Sequence, residues 1–239
     1  MDYFNLYKEV MNETNEKGIV KKPSPQRPLP RWNYTATQAR DILGPTPEEA
    51  LFFGADGEFF PVFLNLDDPS PGPIVVVGER LTGKRSFLMN IAVSCEVYTK
   101  RKPIQYAVIS DNPGRWDYFG VNDAKNCVGI YGFYDNTAQD LVYGLCEYGK
   151  NNKNHKVILL LDTLKGVLQF DFDFQVAIKW LLKNGPNMGI WPVVSVHNDD
   201  VNMLSNYMEF FRTQIFAYID RYELEEDEEM LSFWIPRLE

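Results

Sequence analysis

The chain has 239 residues, 45% of them hydrophobic and 24% charged, with a formal net charge of −9. That length suits one sizeable core rather than two full domains, in an ordinary globular composition. The acidic balance points away from a nucleic-acid surface, although it leaves room for a local basic patch, and the longest apolar runs, PIVVV and VILLL, fall far short of the ~20 residues of a membrane-spanning helix.

Residues 2–17 read as a short amphipathic helix with Phe4, Leu6, Tyr7, Val10 and Met11 on one side. KKPSPQRPLPRW follows, with four prolines between Pro23 and Pro30, and reads as an extended arm. TATQARDILG gives a second short helix stopping at Gly44. The stretch up to Asp68 reads as a β-hairpin, with Asp56-Gly57 as the turn signal between two apolar runs. We therefore place an N-terminal helix and proline-rich arm at 1–48 and the main domain at 49–239.

From residue 73 the rhythm changes. PIVVV is a continuous apolar run bounded by proline and glycine, the pattern of a strand buried on both faces. A helix over about 84–99 follows it. IQYAVIS, CVGIYG, KVILLLD, GIWPVVSVH and TQIFAYI read as further strands, TQIFAYI being the last. Helices separate most of them: one from about 137 to 149 capped by Asp135, one in DFQVAIKWLLKNG stopping at Gly185, and one in NMLSNYMEFF. Such alternation predicts an α/β fold, a mainly parallel sheet with helices on both faces. No internal repeat is present.

VVVGERLTGKRS, residues 75–86, has the spacing of a phosphate-binding loop: Gly78, four residues, then Gly83 and Lys84. Between a buried strand and a helix, Gly78, Thr82 and Gly83 let backbone N–H groups approach phosphate oxygens. The helix start adds positive potential, and Lys84 reaches the outer phosphates. KVILLLDTL, residues 156–164, ends an apolar strand in Asp162, the pattern that presents a carboxylate to Mg²⁺. A helix cap, or a partner for Lys84, is the plainer role for that aspartate.

In their order these motifs resemble the FtsK/HerA superfamily of ring-forming motor ATPases, over about residues 50–220. FFGADGEFFPVFLNL is similar to the strands that lead into the family's phosphate loop. VISDNP sits where members have an aspartate-containing strand end, and DNTAQDLVYGLCEYG matches the helix before the second motif. NMGIWPVVSVHND looks like the strand leading to the sensor glutamine, and FFRTQIFAYI like the segment with an arginine, here Arg212, before a closing strand. The resemblance implies a P-loop, RecA-like ATPase fold with ATP or ADP as ligand, Mg²⁺ as possible metal, and related ATPase subunits as partners in a homo- or hetero-oligomer. DNA is a possible substrate that the net charge does not favour.

The departures fall at catalytic positions. Members that hydrolyse ATP follow the Walker B aspartate with a water-orienting glutamate; here the place holds Thr163, whose hydroxyl is no general base near neutral pH. The Mg²⁺-ligating hydroxyl is replaced by Arg85, which has no lone pair to give. Ser86 comes one residue late, and one residue turns a helix by ~100°. His197 stands at the sensor position, and ERLT adds the Glu79 carboxylate to the loop. Lys84 and Arg85 either hold a nucleotide without metal or pair with Asp162 and Glu79. The expectation is a degenerate ATPase domain of a DNA-transfer, segregation or secretion machine. The alternatives are an active translocase completed by partner subunits and an adaptor that has lost its ligand.

Three cysteines, Cys95, Cys127 and Cys146, are odd in number and widely spaced, which argues for buried free thiols and a reducing compartment. MDYFNLYKEV lacks the basic-then-apolar order of a signal peptide, so the expected location is cytoplasmic. The acid run ELEEDEE, residues 223–229, reads as a solvated face or loop. Phe174, Trp180 and Trp191 read as core, and His155 as exposed.

Overall fold

The computed structural model describes residues 34–44, 47, 49–98, 103–117, 124–151, 155–219, 221–226 and 229–238. The expected helix over 2–17 and the proline-rich arm lie outside these residues. In chain order come helix α1 (Ala36–Leu43), strands β1 (Ala50–Ala55), β2 (Pro61–Asn65) and β3 (Ile74–Gly78), and helix α2 (Lys84–Val97). Then follow β4 (Gln105–Ser110), the one-turn α3 (Gly114–Asp117), β5 (Cys127–Gly132), α4 (Asn136–Asn151) and β6 (Val157–Leu161). The remainder holds α5 (Phe172–Asn184), β7 (Ile190–His197), the one-turn α6 (Ser205–Met208), β8 (Thr213–Ala217), β9 (Tyr222–Glu226) and β10 (Glu229–Phe233).

β1 and β2 pair with each other, and the other strands form one sheet in the order β10-β9-β8-β3-β7-β6-β4-β5. From β8 to β5 every pairing is parallel. A strand inside such a sheet needs apolar residues at every position, because both of its faces are covered. β3 shows why: Ile74 and Val76 enter the core on one face, Val75 and Val77 the core on the other. β6 divides in the same way. On the first face lie α2, through Phe87, Leu88 and Ile91, and the β1–β2 hairpin, through Leu51, Phe53 and Leu64. The second face is covered by α4, through Ala138 and Val142, and by α5, through Phe174, Ile178 and Leu181. The α/β fold with helices on both faces is the one expected.

Details differ at the ends of elements. The hairpin turn spans Asp56 to Phe60, with the Asp56 carboxylate accepting from the amides of Glu58 and Phe60, both at 2.9 Å. Its left-handed residue is Phe59, not Gly57. Asp135 caps α4 as expected, accepting from the Thr137 amide at 3.0 Å. α5 ends at Asn184, but Gly185 stays right-handed and passes into a 3₁₀ turn, Pro186–Met188, closed by the left-handed Gly189. Of the helix expected over 202–211, only Ser205–Met208 forms, after a 3₁₀ turn at Asn198–Asp200. Asn202, Ser205 and Asn206 are poor interior helix formers, while Leu204 and Phe211 are buried from the turns on either side of that short helix and Tyr207 from within it.

TQIFAYI is not the last strand. β9 and β10 extend the sheet as an antiparallel pair beside β8. Within the acid run, Leu224 is buried between acids, as is Tyr222 just before it, and Glu223 is itself buried against Arg221, whose Nε donates at 2.7 Å. Tyr222–Glu226 is a strand with Tyr222 and Leu224 buried, not a solvated loop.

Beyond β10 the chain returns to the lead-in. Trp234 and Ala55 exchange backbone hydrogen bonds, each at 2.9 Å, and the Arg237 amide donates to Tyr34 O at 2.8 Å. Gly54 permits this crossing, since a Cβ there would run into the Trp234 carbonyl.

Candidate functional site

Gly78, residues 82–86, Asp162, Thr163 and His197 lie at the carboxyl ends of the central parallel strands. Gly78 ends β3 in register with His197, which ends β7. β7 lies between β3 and β6, so the strands that lead to Gly78 and Asp162 are separated by one other. The small Ser195 of β7 bridges the gap by donating its hydroxyl to the Asp162 carbonyl.

The loop from Gly78 to Gly83 folds tightly over the start of α2. Gly83 has φ +91°, and a Cβ there would meet the Tyr222 hydroxyl at 2.7 Å. That hydroxyl donates to Gly83 O at 2.9 Å, and the Tyr222 ring stacks on Phe233. Thr82 donates to Glu79 O at 2.9 Å. Leu81 is left-handed and 89% exposed, at the crest of the loop. Lys84 Nζ donates to Gly78 O at 2.8 Å and to Glu79 O at 2.6 Å. Burial pushes its pKa below the ordinary lysine value, and the charges of Glu79 and Asp162 offset part of that shift.

Arg85 turns to the carboxylates. Its Nε donates to Asp162 Oδ2 at 2.7 Å and its Nη2 to Asp111 Oδ1 at 3.0 Å. The same Asp162 oxygen accepts from Ser110 Oγ at 2.6 Å and Trp116 Nε1 at 3.4 Å. Of the two carboxylates foreseen for the Lys84–Arg85 pair, Asp162 is engaged by Arg85. Glu79 instead accepts from Asn198 Nδ2 at 2.8 Å and lies 3.9 Å from His197 Nε2. Ser110, Asp111, Trp116, Ser195 and Tyr222 were not among the expected site residues. Asp111 had a signal, as the aspartate of VISDNP; Tyr222 had none, since its strand was read as a loop.

The other expected residues spread out. Thr163 is extended and leads into the 3₁₀ turn Leu164–Gln169 without capping it. Ser86 is half-buried on the first turn of α2. His197 Nδ1 accepts from the Asp199 amide at 3.2 Å, closing the turn after β7. Arg212 is exposed and precedes β8, where Thr213 pairs with Ile74 at the opposite end of β3 from Gly78. It is not brought into this site. Cys95 is buried, whereas Cys127 and Cys146 are only half-buried; all three are free thiols. Phe174 and Trp191 are core, Trp180 packs at its edge, and His155 is exposed.

These residues do not fit Mg²⁺. The position after Lys84 offers a guanidinium instead of a hydroxyl, and that guanidinium sits on the carboxylate a metal would use. Among the described residues no group of three or more His, Cys, Asp or Glu side chains is placed to hold a metal. Gly83, Lys84 and the start of the 14-residue α2 are the residue types and the element from which an anion cradle is built.

No family model matches the sequence, and no curated protein matches it. Solved structures do. The Thermomonospora curvata EccC ATPases 2 and 3, in complex with a signal sequence peptide, superpose with a TM-score of 0.67 at 13% identity, over 93% of this chain and 46% of that one. The cytoplasmic domain of EssC gives 0.68 at 16%, over 97% and 52%. EssC ATPases 2 and 3 from Geobacillus thermodenitrificans give 0.67 at 17%, over 98% and 49%. The chain has the P-loop ATPase fold of these structures. It spans about half the length of these structures. Within that fold, Gly78–Ser86 joins β3 to the start of α2, and Asp162 directly follows β6. No described helix is long and apolar enough to cross a membrane.

Proposed function

We propose that the chain is a non-hydrolysing P-loop ATPase module that acts by assembly with related ATPase subunits, on the cytoplasmic side of a secretion-type machine. The observation that carries this is the Arg85–Asp162 contact at 2.7 Å. It joins the residue that should present a hydroxyl to a metal and the residue that should ligate it, so each neutralises the other. Thr163 supplies no base to orient water. Loss of that one role costs about 10²–10⁴-fold in rate, before the missing metal is considered. Lys84, spent on its own loop carbonyls, holds the loop in shape. The likeness to EssC and to EccC, a type VII secretion ATPase, supports a secretion setting.

The test is ATP turnover by the purified chain with excess Mg²⁺, beside Lys84→Ala. The expected result is background phosphate release from both. Turnover of ~1 s⁻¹ or more, within the ordinary range for enzymes and abolished by Lys84→Ala, refutes the proposal and favours a working translocase.

A further inference from the structure

The two helices on the second face of the sheet both begin with exposed rings among exposed acids. Tyr134 stands just before α4 and is 81% exposed; Phe172 opens α5 and is 77% exposed. Asp135 and Asp171 each use one carboxylate oxygen as a cap, Asp171 accepting from the Phe174 amide at 2.9 Å, and Asp173 lies in the first turn of α5. The helices run side by side in the same direction: the Cys146 thiol reaches Ala177 O at 3.9 Å, and Lys150 lies over the Trp180 ring at 5.8 Å. Tyr143 of α4 lies beside the start of α5. Desolvation, and then the charges of Asp171 and Asp173, push its phenol above its ordinary pKa. Beneath this surface Phe170 joins Phe133 and Phe174, with ring centroids 6.1 and 4.0 Å away. Among the described residues no cation pairs with Asp135, Asp171 or Asp173. Exposed rings gathered on one surface and rimmed by charge mark an interaction site.

The sequence carries a segment of the opposite chemistry. Residues 17–32 hold Lys17, Lys21, Lys22, Arg27 and Arg31, no acid, and the prolines Pro23, Pro25, Pro28 and Pro30, in a chain of net charge −9. A polyproline II helix has three residues per turn, so Pro25, Pro28 and Arg31 fall on one ridge of it. Such ridges dock on exposed rings, because prolines are already extended and lose little entropy, while arginines pair with flanking carboxylates. From Tyr134 to Tyr143 is ~13 Å along α4, which about four residues of that ridge cover at ~3.1 Å each. The arm of the same chain does not reach. Pro30 lies four residues before Tyr34, a span of at most ~14 Å. Tyr34 leads into α1, which is tied to α2 by the Tyr98 hydroxyl donating to Ala36 O at 2.9 Å, and α2 covers the opposite face of the sheet from α4 and α5. The sheet and its helix layers, each helix ~10 Å across, stand between. We therefore propose that the surface formed by Tyr134, Tyr143 and Phe172 with Asp135, Asp171 and Asp173 receives the basic proline-rich arm, residues 23–31, of a second copy of this chain. Each copy offers one arm and one face, a heterologous contact. It goes beyond the reading of the phosphate loop and does not rest on it.

Sedimentation velocity of the full chain across a wide concentration range, at low and high salt, tests this. We expect association that weakens with salt, as contacts between exposed charges do. A face variant, Tyr134→Ser with Phe172→Ser, and an arm variant, Arg27→Glu with Arg31→Glu, should each weaken it by about tenfold or more, the effect of losing an anchor side chain from an interface. Mixing the two variants then restores one contact: the intact arm of the first meets the intact face of the second, and a heterodimer forms although neither associates alone. A synthetic peptide of residues 20–33 should dissociate the wild-type assembly and bind the arm variant but not the face variant. Thermal melts check the fold; if the face variant does not fold, the arm variant and the peptide still decide. A chain that stays monomeric throughout overturns the proposal, as does association that neither variant weakens or a mixture that stays monomeric. Association lost by the face variant and kept by the arm variant overturns the arm as occupant. A peptide that binds the arm variant while the wild type is monomeric places the arm on its own chain and overturns the second copy. ATP turnover is read separately and bears on the phosphate loop alone, so each of these failures leaves the non-hydrolysing reading standing.

Discussion

Replacing Arg85 by serine removes a guanidinium from a carboxylate whose side chain is 2% exposed, while Arg85's own side chain is 26% exposed. Breaking a fully buried pair costs about 3–5 kcal/mol, and an exposed pair is worth about 0–1. Here the arginine's exposure discounts the first figure. The surviving donors, Ser110 Oγ and Trp116 Nε1, still satisfy the Asp162 oxygen. We therefore expect Arg85→Ser to cost about 2 kcal/mol, between those limits. For a chain of this size that is a fall of about 4–8 °C in Tm. Asp162→Asn should cost less, because Arg85 keeps Asp111 and a path to solvent. The double variant should cost clearly less than the two single losses added, the mark of a direct contact. Urea unfolding of the four proteins gives the cycle. A buried contact is little screened, so the coupling should persist in high salt. An Arg85→Ser protein within about 0.5 kcal/mol of wild type, the level of ordinary surface changes, would refute the reasoning.

Gly83→Ala should destabilise by about 1–3 kcal/mol, because φ is +91° and the new methyl meets the Tyr222 hydroxyl; unfolding equilibria measure it, and a neutral result would mean the loop relaxes freely. Tyr222→Phe removes only the hydrogen bond to Gly83 O, keeping the stack on Phe233. It should cost about 1 kcal/mol, with faster amide exchange confined to residues 78–86 and the C-terminal hairpin. Lys84 titrates below the ordinary lysine value through burial, so its charged form is penalised in the fold. At neutral pH that penalty is constant; it is relieved as pH rises from the lowered folded value toward the unfolded value of about 10.4. Wild type should therefore gain stability relative to Lys84→Met across that alkaline window, and the opposite slope in pH-dependent unfolding would contradict the burial of Lys84.

Much of the fold was written in local pattern. β3 and β6 announce themselves because a doubly covered strand tolerates no polar residue, and the loop joining β3 to α2 carries its spacing on the surface of the sequence. β9 was illegible for a related reason: apolar Tyr222 and Leu224 sit among acids, and charge count outweighed alternation. In the site, Arg85's departure from pattern was visible, and its partner Asp162 was named, because both belong to motifs. Asp111 and Glu79 exchanged roles because that choice depends on which strand end stands opposite α2, and strand order is not a local property. The same holds for β7 intervening between β3 and β6.

The backbone contacts of Trp234 with Ala55 and of Arg237 with Tyr34 have a consequence for the order of synthesis. The lead-in hairpin is made before the central sheet, yet the segment that pairs with it is made after that sheet. While the ribosome is still completing the sheet, the edge of β1 carries open amide and carbonyl groups, an invitation to pair with another nascent chain. Folding therefore closes from Trp234 back to the earlier-made hairpin, and a product that stops short of Trp234 keeps its sheet but leaves that seam unsewn.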